Sequence, residues 1–348
     1  MADARIFREM VPRVAGGDEL DPITTLDVVE CISRMDGSAG WLAMIGSGGG
    51  FLTGYLETDV ARAMFAEPMA CLCGNIGAAA ARAARVPGGY RVTGRWPFVS
   101  GCEHATWLGG NALLFDGDEQ RFNTDGTPRT RIMLFPRDSA RIVDTWSATG
   151  LRATGSHDVA VADLFVPEER SLWWSDGPKQ PGPLYPVRFM VITHAAHALG
   201  IARAAIDALV ELAEHKQPTR STALLRELPQ LQHNLAQAEA LVQAARAFMW
   251  EITAEVWEVV CGGQPATLRH RGLLRLAMTH AVQSAAQAVD LVWAAAGSSP
   301  VYTSSPLERC FRDIHVATQH AAVGVFSYQT VGAALVHRDE AWGGPTLI

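Results

Sequence analysis

The sequence predicts an α+β fold in which amino-terminal helices are followed by a small antiparallel β unit and a carboxyl-terminal four-helix bundle. Three observations predict it. The first is helical spacing of apolar residues over 23–66, the second is a series of short β-prone runs over 69–174, and the third is a loss of β signals from Val187 onward. We place the boundaries at an N-terminal helical domain over 1–67, a β domain over 68–178 and a four-helix bundle over 179–348.

The composition is that of a globular chain with a large core. Of its 348 residues 48% are hydrophobic and 19% charged, which argues against disordered and fibrous classes. The formal charge of −7 lacks the basic surplus that nucleic-acid binding requires. Charged residues interrupt every apolar stretch before it is long enough to span a bilayer, the first residues do not resemble a secretory signal, and six scattered cysteines fit reduced thiols. We therefore expect a cytoplasmic protein without a membrane or nucleic-acid partner.

The amino-terminal region contains two glycine-rich segments. Residues 37–40 read GSAG and predict a bend before a helix that starts near Trp41. Residues 46–50 read GSGGG, but they lack the Lys-Ser/Thr of a P-loop and do not match GxGxxG. Close helix packing or a pocket wall is the preferred interpretation of this second segment, rather than phosphate binding.

The β unit is predicted from runs of β-branched and aromatic residues between turn residues. These runs lie at 90–93, 111–115, 131–135 and 159–166, and the last ends at Pro167. They indicate a barrel or a sandwich. The Pro- and Gly-rich segment 176–186 is the best linker candidate.

The bundle is predicted as four long helices separated by breaks rich in Gly, Pro and Ser. The stretches are 187–215, 222–260, 267–296 and 306–336. Helices of about 30 residues are about 45 Å long, which suits an up-down four-helix bundle. Their Ala-rich stripes commonly pack against sister subunits, so we expect a homodimer or a homotetramer.

Three local strings carry a family resemblance. Residues 94–101 read GRWPFVSG, 149–156 read TGLRATGS, and 306–313 read PLERCFRD. In this order, and with helices, a β unit and a bundle around them, they resemble the acyl-CoA dehydrogenase superfamily. The resemblance implies an acyl-CoA dehydrogenase-like fold. Members usually carry some tens of residues before the segment that begins at Ala4, so the N-terminal helical domain is expected to be shortened.

The segment after the last string indicates the branch. Dehydrogenases commonly place a Glu base shortly beyond the Arg-Asp pair, whereas residues 314–322 read IHVATQHAA and contain no acid. His320 lies seven residues beyond Asp313, two turns along a continuous helix. This pattern resembles the two-component flavin-dependent monooxygenases related to 4-hydroxyphenylacetate and 3-hydroxy-9,10-secosteroid hydroxylases.

That branch implies an activity and a set of partners. The chain would be the oxygenase component, which hydroxylates an aromatic or related small molecule with O2 through a flavin C4a-hydroperoxide. Reduced FMN or FAD would come from a separate NAD(P)H:flavin reductase, and the protein would exclude water around the reacting atoms.

The resemblance also implies site residues, each with a structural alternative. His320 would act as the catalytic base, or else be a hydrogen-bonded histidine between helices. Ser100 would face flavin N5, or else be a turn serine. Trp96 and Phe98, alternating with Ser100 on one strand face, would wall the flavin, or else pack in the core. Ser298 would contact the flavin, or else lie in a plain loop.

No metal site is expected, since the helical pair His194 and His197 has no acid nearby.

Two other functions stay open. The chain could be an acyl-CoA dehydrogenase that performs FAD-dependent α,β-desaturation with a base elsewhere, such as Glu211 or Glu214. It could also be a catalytically inactive, flavin-free relative.

Overall fold

A computed structural model describes residues 1–77, 79–219 and 221–337. The chain forms two compact units, each built from three segments. The sheet unit comprises Met1–Asp21, Leu42–Ser147 and Thr154–Pro186. The helical unit comprises Pro22–Trp41, Ala148–Ala153 and Val187–Ile348. These units are defined by spatial contacts, and the domain boundaries near 67 and 178 stay a prediction.

The described strands of the sheet unit belong to one mixed sheet. They follow the order β7-β8-β3-β2-β4-β6-β9, and β1 and β5 also pair with β4. In chain order the strands are β1 Leu72–Asn75, β2 Ala81–Val86, β3 Gly89–Trp96, β4 Trp107–Asp116, β5 Glu119–Gln120, β6 Thr130–Pro136, β7 Arg141–Val143, β8 Asp158–Pro167 and β9 Ser171–Leu172.

The strand directions correct the expectation of a purely antiparallel unit. Strands β1 and β2 both run parallel to β4, with Leu72 opposite Trp107 and Ala81 opposite Ala112. The other recorded pairs, including β2 with β3 and β3 with β8, are antiparallel. Turn residues indicate where a strand ends, but the direction of a pair depends on which strand lies alongside, and that is decided by the whole sheet.

The core of the sheet unit lies on the buried face of this sheet. It combines large side chains of several strands, among them Tyr90, Trp96 and Phe135, with the smaller Val92 and Leu108. Tyr90, Val92 and Trp96 alternate along β3, as the period of two in a strand requires, and Leu108 on β4 lies opposite Phe135 on β6.

The helical unit contains most of the long helices. Within the described residues the helices are α1 Pro22–Met35, α2 Gly37–Leu52, α3 Thr58–Met64, α4 Thr193–His215, α5 Pro229–Cys261, α6 Leu268–Ala296, α7 Pro306–Ala317 and α8 Phe326–His337. The first three stretches predicted for the bundle are confirmed as α4, α5 and α6. Helix α4 approaches α1 closely at Gly200, where a Cβ would lie 2.5 Å from the Glu30 carbonyl oxygen.

The fourth predicted stretch is wrong as one helix, because it is interrupted between α7 and α8. After Ala317 the Thr318 hydroxyl donates to the His315 carbonyl oxygen at 2.7 Å. The His320 ring then accepts from the Ala322 backbone N–H, which caps the short 3-10 turn Ala321–Val323. Side chains that bond the neighbouring backbone compete with helix formation. His320 therefore lies on a turn and not on the helix face of Asp313.

The segment Phe189–His215 is long and apolar enough, by length and composition alone, to span a membrane. Its most apolar window is 78% buried inside the protein. That degree of burial is what the central helix of a bundle shows, and it accounts for the apolar sequence.

Candidate active site

Three histidines of the helical unit meet around one tryptophan. The Trp41 ring lies 5.8 Å from the His194 ring, 5.1 Å from His197 and 5.6 Å from His320, each distance between ring centroids. The His194 and His320 rings are 4.5 Å apart and tilted by 34°. We call these four residues the histidine cluster. His194 and His197 are buried, whereas His320 is exposed to solvent.

Hydrogen bonds assign the proton on two of these rings. His194 Nδ1 lies 2.8 Å from the Val191 carbonyl oxygen, which can only accept, so Nδ1 carries the hydrogen. Its Nε2 is buried and has no hydrogen-bond partner among the described residues. His320 is the reverse: Nδ1 accepts from the Ala322 N–H at 3.2 Å, so the hydrogen of the neutral ring is on Nε2.

The cluster is neutral at physiological pH. Burial lowers the pKa of His197 to about 4. Desolvation of the ring lowers the pKa of His320 to about 4 as well, with a further contribution from the Arg275 charge. Burial also holds the pKa of His194 well below its usual range. A neutral imidazole keeps a lone pair at neutral pH, so this cluster is able to accept a proton.

Asp313 and residues 149–153 of the 149–156 string meet in the helical unit. The Asp313 carboxylate accepts from the Leu151 backbone N–H at 2.6 Å, and Leu151 has a φ of +49°. A Cβ on Gly150 would lie 2.3 Å from the Arg312 carbonyl oxygen, so only glycine fits there. Arg312 also pairs with Glu308 at 2.7 Å. The 306–313 string thus anchors residues 149–153 of the other motif.

Ser100 lies on a tight turn of the sheet unit, beyond the end of β3. Its hydroxyl is 2.7 Å from the Ser156 hydroxyl, which in turn lies 2.7 Å from the Thr154 hydroxyl. Two backbone bonds join the same segments, from Val99 to His157 and from Gly101 to Thr154. Two of the recognised strings, 94–101 and 149–156, are therefore in direct contact around Ser100.

The aromatic residues before Ser100 do not share one strand face, which corrects the expected alternation. Strand β3 ends at Trp96, which is 1% exposed and donates from its indole N–H to the Asn111 carbonyl oxygen at 2.7 Å. Phe98 is 67% exposed and has a φ of +57°. The centroids of the Phe98 and Trp146 rings are 6.3 Å apart, and the rings pack edge to face. Trp96 thus has the core position, and Phe98 presents the aromatic surface.

The remaining sequence-derived site residues belong to the helical unit. Ser298 is exposed and precedes the 3-10 turn Ser299–Val301. His194 and His197, one turn apart on α4, direct ring nitrogens to carbonyl oxygens, His197 Nε2 to Gly37 at 2.8 Å. His320 and Ser298 therefore lie in the helical unit and Ser100, Trp96 and Phe98 in the sheet unit, and a common cavity stays a prediction.

Sequence reasoning missed two residues near His320. His194 was considered only as a metal ligand, although its low pKa and buried Nε2 make it part of the cluster. Arg275 of α6 was not considered at all. Its Nε donates to the Ser327 hydroxyl at 3.1 Å, and its charge acts on His194 and His320. The sequence offered only an arginine within a predicted helix, and such arginines are common in bundles.

Comparisons with known proteins agree with this architecture. A family profile described as acyl-CoA dehydrogenase, C-terminal domain, matches residues 192–324. A protein of Pseudomonas putida named indole-3-acetate monooxygenase is 35% identical over 331 residues, which are 94% of this chain and 83% of that protein. The flavin-dependent monooxygenase oxygenase subunit HsaA of Rhodococcus jostii is 29% identical, with 92% of this chain and 86% of that protein covered.

The chain belongs to the family of flavin-dependent monooxygenases. Among solved structures, XiaF from Streptomyces, in complex with FADH2 and glycerol, is similar with a TM-score of 0.89 and 26% identity, covering 99% of this chain and 88% of that one. The HsaA monooxygenase of Mycobacterium tuberculosis shares the fold with a TM-score of 0.88 at 23% identity, covering 100% and 90%. The monooxygenase interpretation is thus confirmed over the acyl-CoA dehydrogenase alternative.

Proposed function

We propose that this monooxygenase is an oxygenase component that hydroxylates an aromatic small molecule with reduced flavin delivered by a separate NAD(P)H:flavin reductase. The observation that carries the proposal beyond family membership is the histidine cluster, in which the His194 and His320 rings lie 4.5 Å apart and are both kept neutral. Aromatic hydroxylation needs a group that takes the proton of a ring O–H or N–H as the ring carbon attacks, and a neutral imidazole has the lone pair for that step, with a pKa of about 4 that makes it a weak base.

The residues of the sheet unit fit a flavin. Phe98 and Trp146 expose an aromatic surface, and Phe98 holds a positive φ that costs energy in a residue other than glycine. Ser100 brings a hydroxyl held by Ser156 to the same turn. Aromatic contact and a positioned hydroxyl are what an isoalloxazine ring needs. When bound in its reduced form, flavin supplies the activation of O2.

The chain's own residues then have separate tasks. Ser100 orients a polar group at its turn, and the paired hydroxyls of Ser156 and Thr154 restrict its rotation. The histidine cluster receives the substrate proton. His320 takes it up only when Nδ1 releases the Ala322 N–H, a long bond of 3.2 Å on an exposed turn. His194 Nε2 already carries a lone pair.

Several finer features belong to the same proposal. The flavin is FMN or FAD, the assembly is a homodimer or homotetramer, and the protein works in the cytoplasm. The support for a separate reductase is that relatives are named as oxygenase subunits or components, such as the FADH2-dependent resorcinol hydroxylase of Rhizobium. The support for an assembly is the Ala-rich surface of α5 and α6.

Anaerobic titration with dithionite-reduced FMN and FAD tests the flavin part. We expect tighter binding of a reduced than of an oxidised flavin, and NAD(P)H-dependent hydroxylation of an aromatic compound only when a flavin reductase is added together with O2. Absence of binding in both redox states would instead support the flavin-free alternative. Copurified FAD that is bleached by an acyl-CoA would support the dehydrogenase alternative.

Replacement of His320 tests the proton acceptor. His320→Ala is expected to suppress hydroxylation while reduced flavin is still consumed and H2O2 is formed. His315→Ala is the matched control, because His315 is a nearby histidine whose ring pairs with Asp290 at 2.9 Å. Unchanged product yield in His320→Ala would eliminate this assignment.

A further inference from the structure

Two buried thiols of the sheet unit lie in contact with each other. Cys71 and Cys73 are each 3% exposed, and their Sγ atoms are 3.6 Å apart. A metal does not account for the pair, since the described residues contain no group of three or more His, Cys, Asp and Glu side chains that could hold a metal ion. Two thiols at this distance have a second stable state, which is a disulfide.

The backbone around the pair is held by two neighbouring elements. At the start of β4, the Thr106 and Trp107 N–H groups donate to the Cys71 carbonyl oxygen at 2.9 and 3.0 Å, and the Cys71 N–H donates to the Thr106 hydroxyl at 3.0 Å. A Cβ on Gly49 of α2 would lie 1.8 Å from the Leu72 carbonyl oxygen, so this helix touches β1 directly. These contacts fix the segment on which both thiols lie.

The spacing of the two cysteines allows them to be joined without a rearrangement of the strand. Two residues with one residue between them are at most about 7 Å apart at Cα, and disulfides bridge Cα atoms up to about that distance. An S–S bond is about 2.05 Å long, so the two Sγ atoms must approach each other by about 1.5 Å. Rotation about the Cα–Cβ bonds supplies a movement of this size.

Cys73 is packed against the turn that carries Ser100. A Cβ built on Gly101 would lie 3.0 Å from the Cys73 Sγ atom, and Gly101 has a φ of +75°, which favours glycine. The turn continues into Cys102, which is 0% exposed and whose thiol lies 3.5 Å from the Gly155 carbonyl oxygen. A shift of the Cys73 sulfur therefore changes the packing of the turn that we propose to face the flavin.

The pair is protected from large reagents. The hydrogen bond with Cys71, together with burial, raises the pKa of Cys73 well above its usual range, so the thiol is protonated at neutral pH. Thiolates are the reactive form, and the pair is thus expected to react slowly at neutral pH and faster at higher pH. Cys31 and Cys261 are exposed and lack this protection. Only a small, uncharged oxidant suits the buried pair, and hydrogen peroxide is one.

We propose that Cys71 and Cys73 form a reversible disulfide with hydrogen peroxide as the oxidant, and that this disulfide alters the turn that carries Ser100. One sulfur takes an oxygen from peroxide as the O–O bond breaks, which gives a sulfenic acid and water. The second thiol attacks the sulfenic sulfur, so that the S–S bond forms and a second water leaves. Two thiols are oxidised, and one peroxide is reduced to two waters.

The source of the peroxide rests on the proposed function, because reduced flavin and O2 yield hydrogen peroxide whenever no substrate is hydroxylated. The thiol pair itself does not depend on that function. Peroxide formed by uncoupled turnover would arise beside the turn that the disulfide alters, and the pair would link the two.

Mass spectrometry of the intact protein tests the disulfide. The double variant Cys31→Ser/Cys261→Ser, which lacks the exposed thiols, is treated with H2O2 under native conditions and then denatured and alkylated. We expect the loss of two hydrogen atoms, with the bond located between Cys71 and Cys73 by tandem mass spectrometry. Dithiothreitol should restore both thiols. The rate of oxidation should rise about tenfold from pH 7 to pH 8, because the thiolate fraction does.

A third buried thiol provides the matched control. Cys102→Ala in the same background should still form the disulfide, whereas Cys71→Ala and Cys73→Ala should not. The parent protein alone can overturn the proposal, so the result does not depend on the folding of these variants. Two alkylated thiols at positions 71 and 73 after peroxide treatment, a sulfinic acid in place of the disulfide, or a disulfide that includes Cys102 would each do so.

Hydrogen exchange tests the effect on the turn. In the peptide 98–105 the Gly101 N–H donates to the Thr154 carbonyl oxygen and the Cys102 N–H to the Val99 carbonyl oxygen, and both amides should exchange faster in the oxidised form. Exchange in α4 should stay the same. Equal exchange of 98–105 in both forms would overturn the coupling of the disulfide to the turn.

Titration with reduced flavin separates this inference from the proposed function. The oxidised protein should bind reduced flavin about tenfold more weakly than the reduced protein, which corresponds to about 1.4 kcal/mol. Equal affinity of the two forms would overturn the effect of the disulfide on the flavin site. Absence of binding to either form would refute the proposed function, while the mass and exchange measurements still decide whether the disulfide forms and alters the turn.

Discussion

The carboxylate of Asp313 accepts the backbone N–H of Leu151 across 2.6 Å, and this bond joins two strings that are 162 residues apart in the sequence. Leu151 has a left-handed backbone conformation with a φ of +49°, which a non-glycine residue adopts only when its surroundings hold it there. The bond therefore explains why an Arg-Asp pair on α7 and a Gly-Leu pair in a distant loop occur together.

Asp313→Ala should destabilise the helical unit by about 2–3 kcal/mol, because the buried bond from the Leu151 N–H to the carboxylate is lost. Asp313→Asn keeps an acceptor oxygen and should cost clearly less. Urea denaturation followed by circular dichroism measures both. Equal stability of the alanine variant and the wild type would contradict a structural role for the bond.

Ser100→Ala should lower the ratio of hydroxylated product to H2O2 by about tenfold or more, because a positioned polar group at the flavin turn is lost. The fold should tolerate the change, since the backbone bonds from Val99 and Gly101 remain. Oxygen consumption, peroxide and product are measured together with a flavin reductase present. A product ratio equal to that of the wild type would place Ser100 outside the flavin site.

Phe98→Asn should weaken binding of reduced flavin about tenfold, while the stability stays the same or rises by about 1 kcal/mol, because Asn adopts positive φ more readily than Phe. Phe122→Asn is the control, since Phe122 is 57% exposed in the same unit and has no proposed role. Anaerobic titration and thermal unfolding measure the two effects. Equal loss of flavin affinity in both variants would argue against a specific contact.

Acidification should destabilise the protein partly through His197. Its pKa is about 4 in the folded protein and about 6.5 in the unfolded chain, so between these values the unfolded chain binds more protons. The free energy of unfolding should thus fall as pH falls, by up to about 2 kcal/mol from this group between pH 7 and 5. His197→Gln keeps a donor for the Gly37 carbonyl and should flatten this dependence, as urea denaturation at several pH values will measure.

Glu9 should have the opposite effect on stability. Burial raises its pKa to about 7, and its carboxyl group contacts the Ser47 hydroxyl at 2.8 Å. The folded protein therefore holds a proton that the unfolded chain has released, and stability falls as pH rises from about 4.5 through 7. Glu9→Gln should stabilise the protein at pH 8 by up to about 3 kcal/mol, and hardly at all at pH 4. Thermal unfolding at both pH values measures this stabilisation. An equal gain in stability at pH 4 and pH 8 would contradict the raised pKa of Glu9.

Local patterns were sufficient for most elements of the fold. Helical spacing and Gly/Pro breaks predicted α1, α4, α5 and α6, and β-branched runs predicted β3, β4, β6 and β8. These features depend on residues close in the sequence, where periodicity is informative. The parallel pairing of β1 and β2 with β4 was not predicted, because no local residue determines which strand becomes the neighbour.

The candidate site, like the fold, was predictable from the sequence only in part. The sequence by itself determined the family, through three strings and an absent acid, and it singled out His320, Ser100 and Phe98. Only the tertiary structure decided that His320 leaves the helix, that the His194 ring lies beside the His320 ring, and that the charge of Arg275 acts on both. Motifs indicate which residues the chemistry requires. The protonation and burial of those side chains, and the charges around them, depend on neighbours that folding brings together from distant segments.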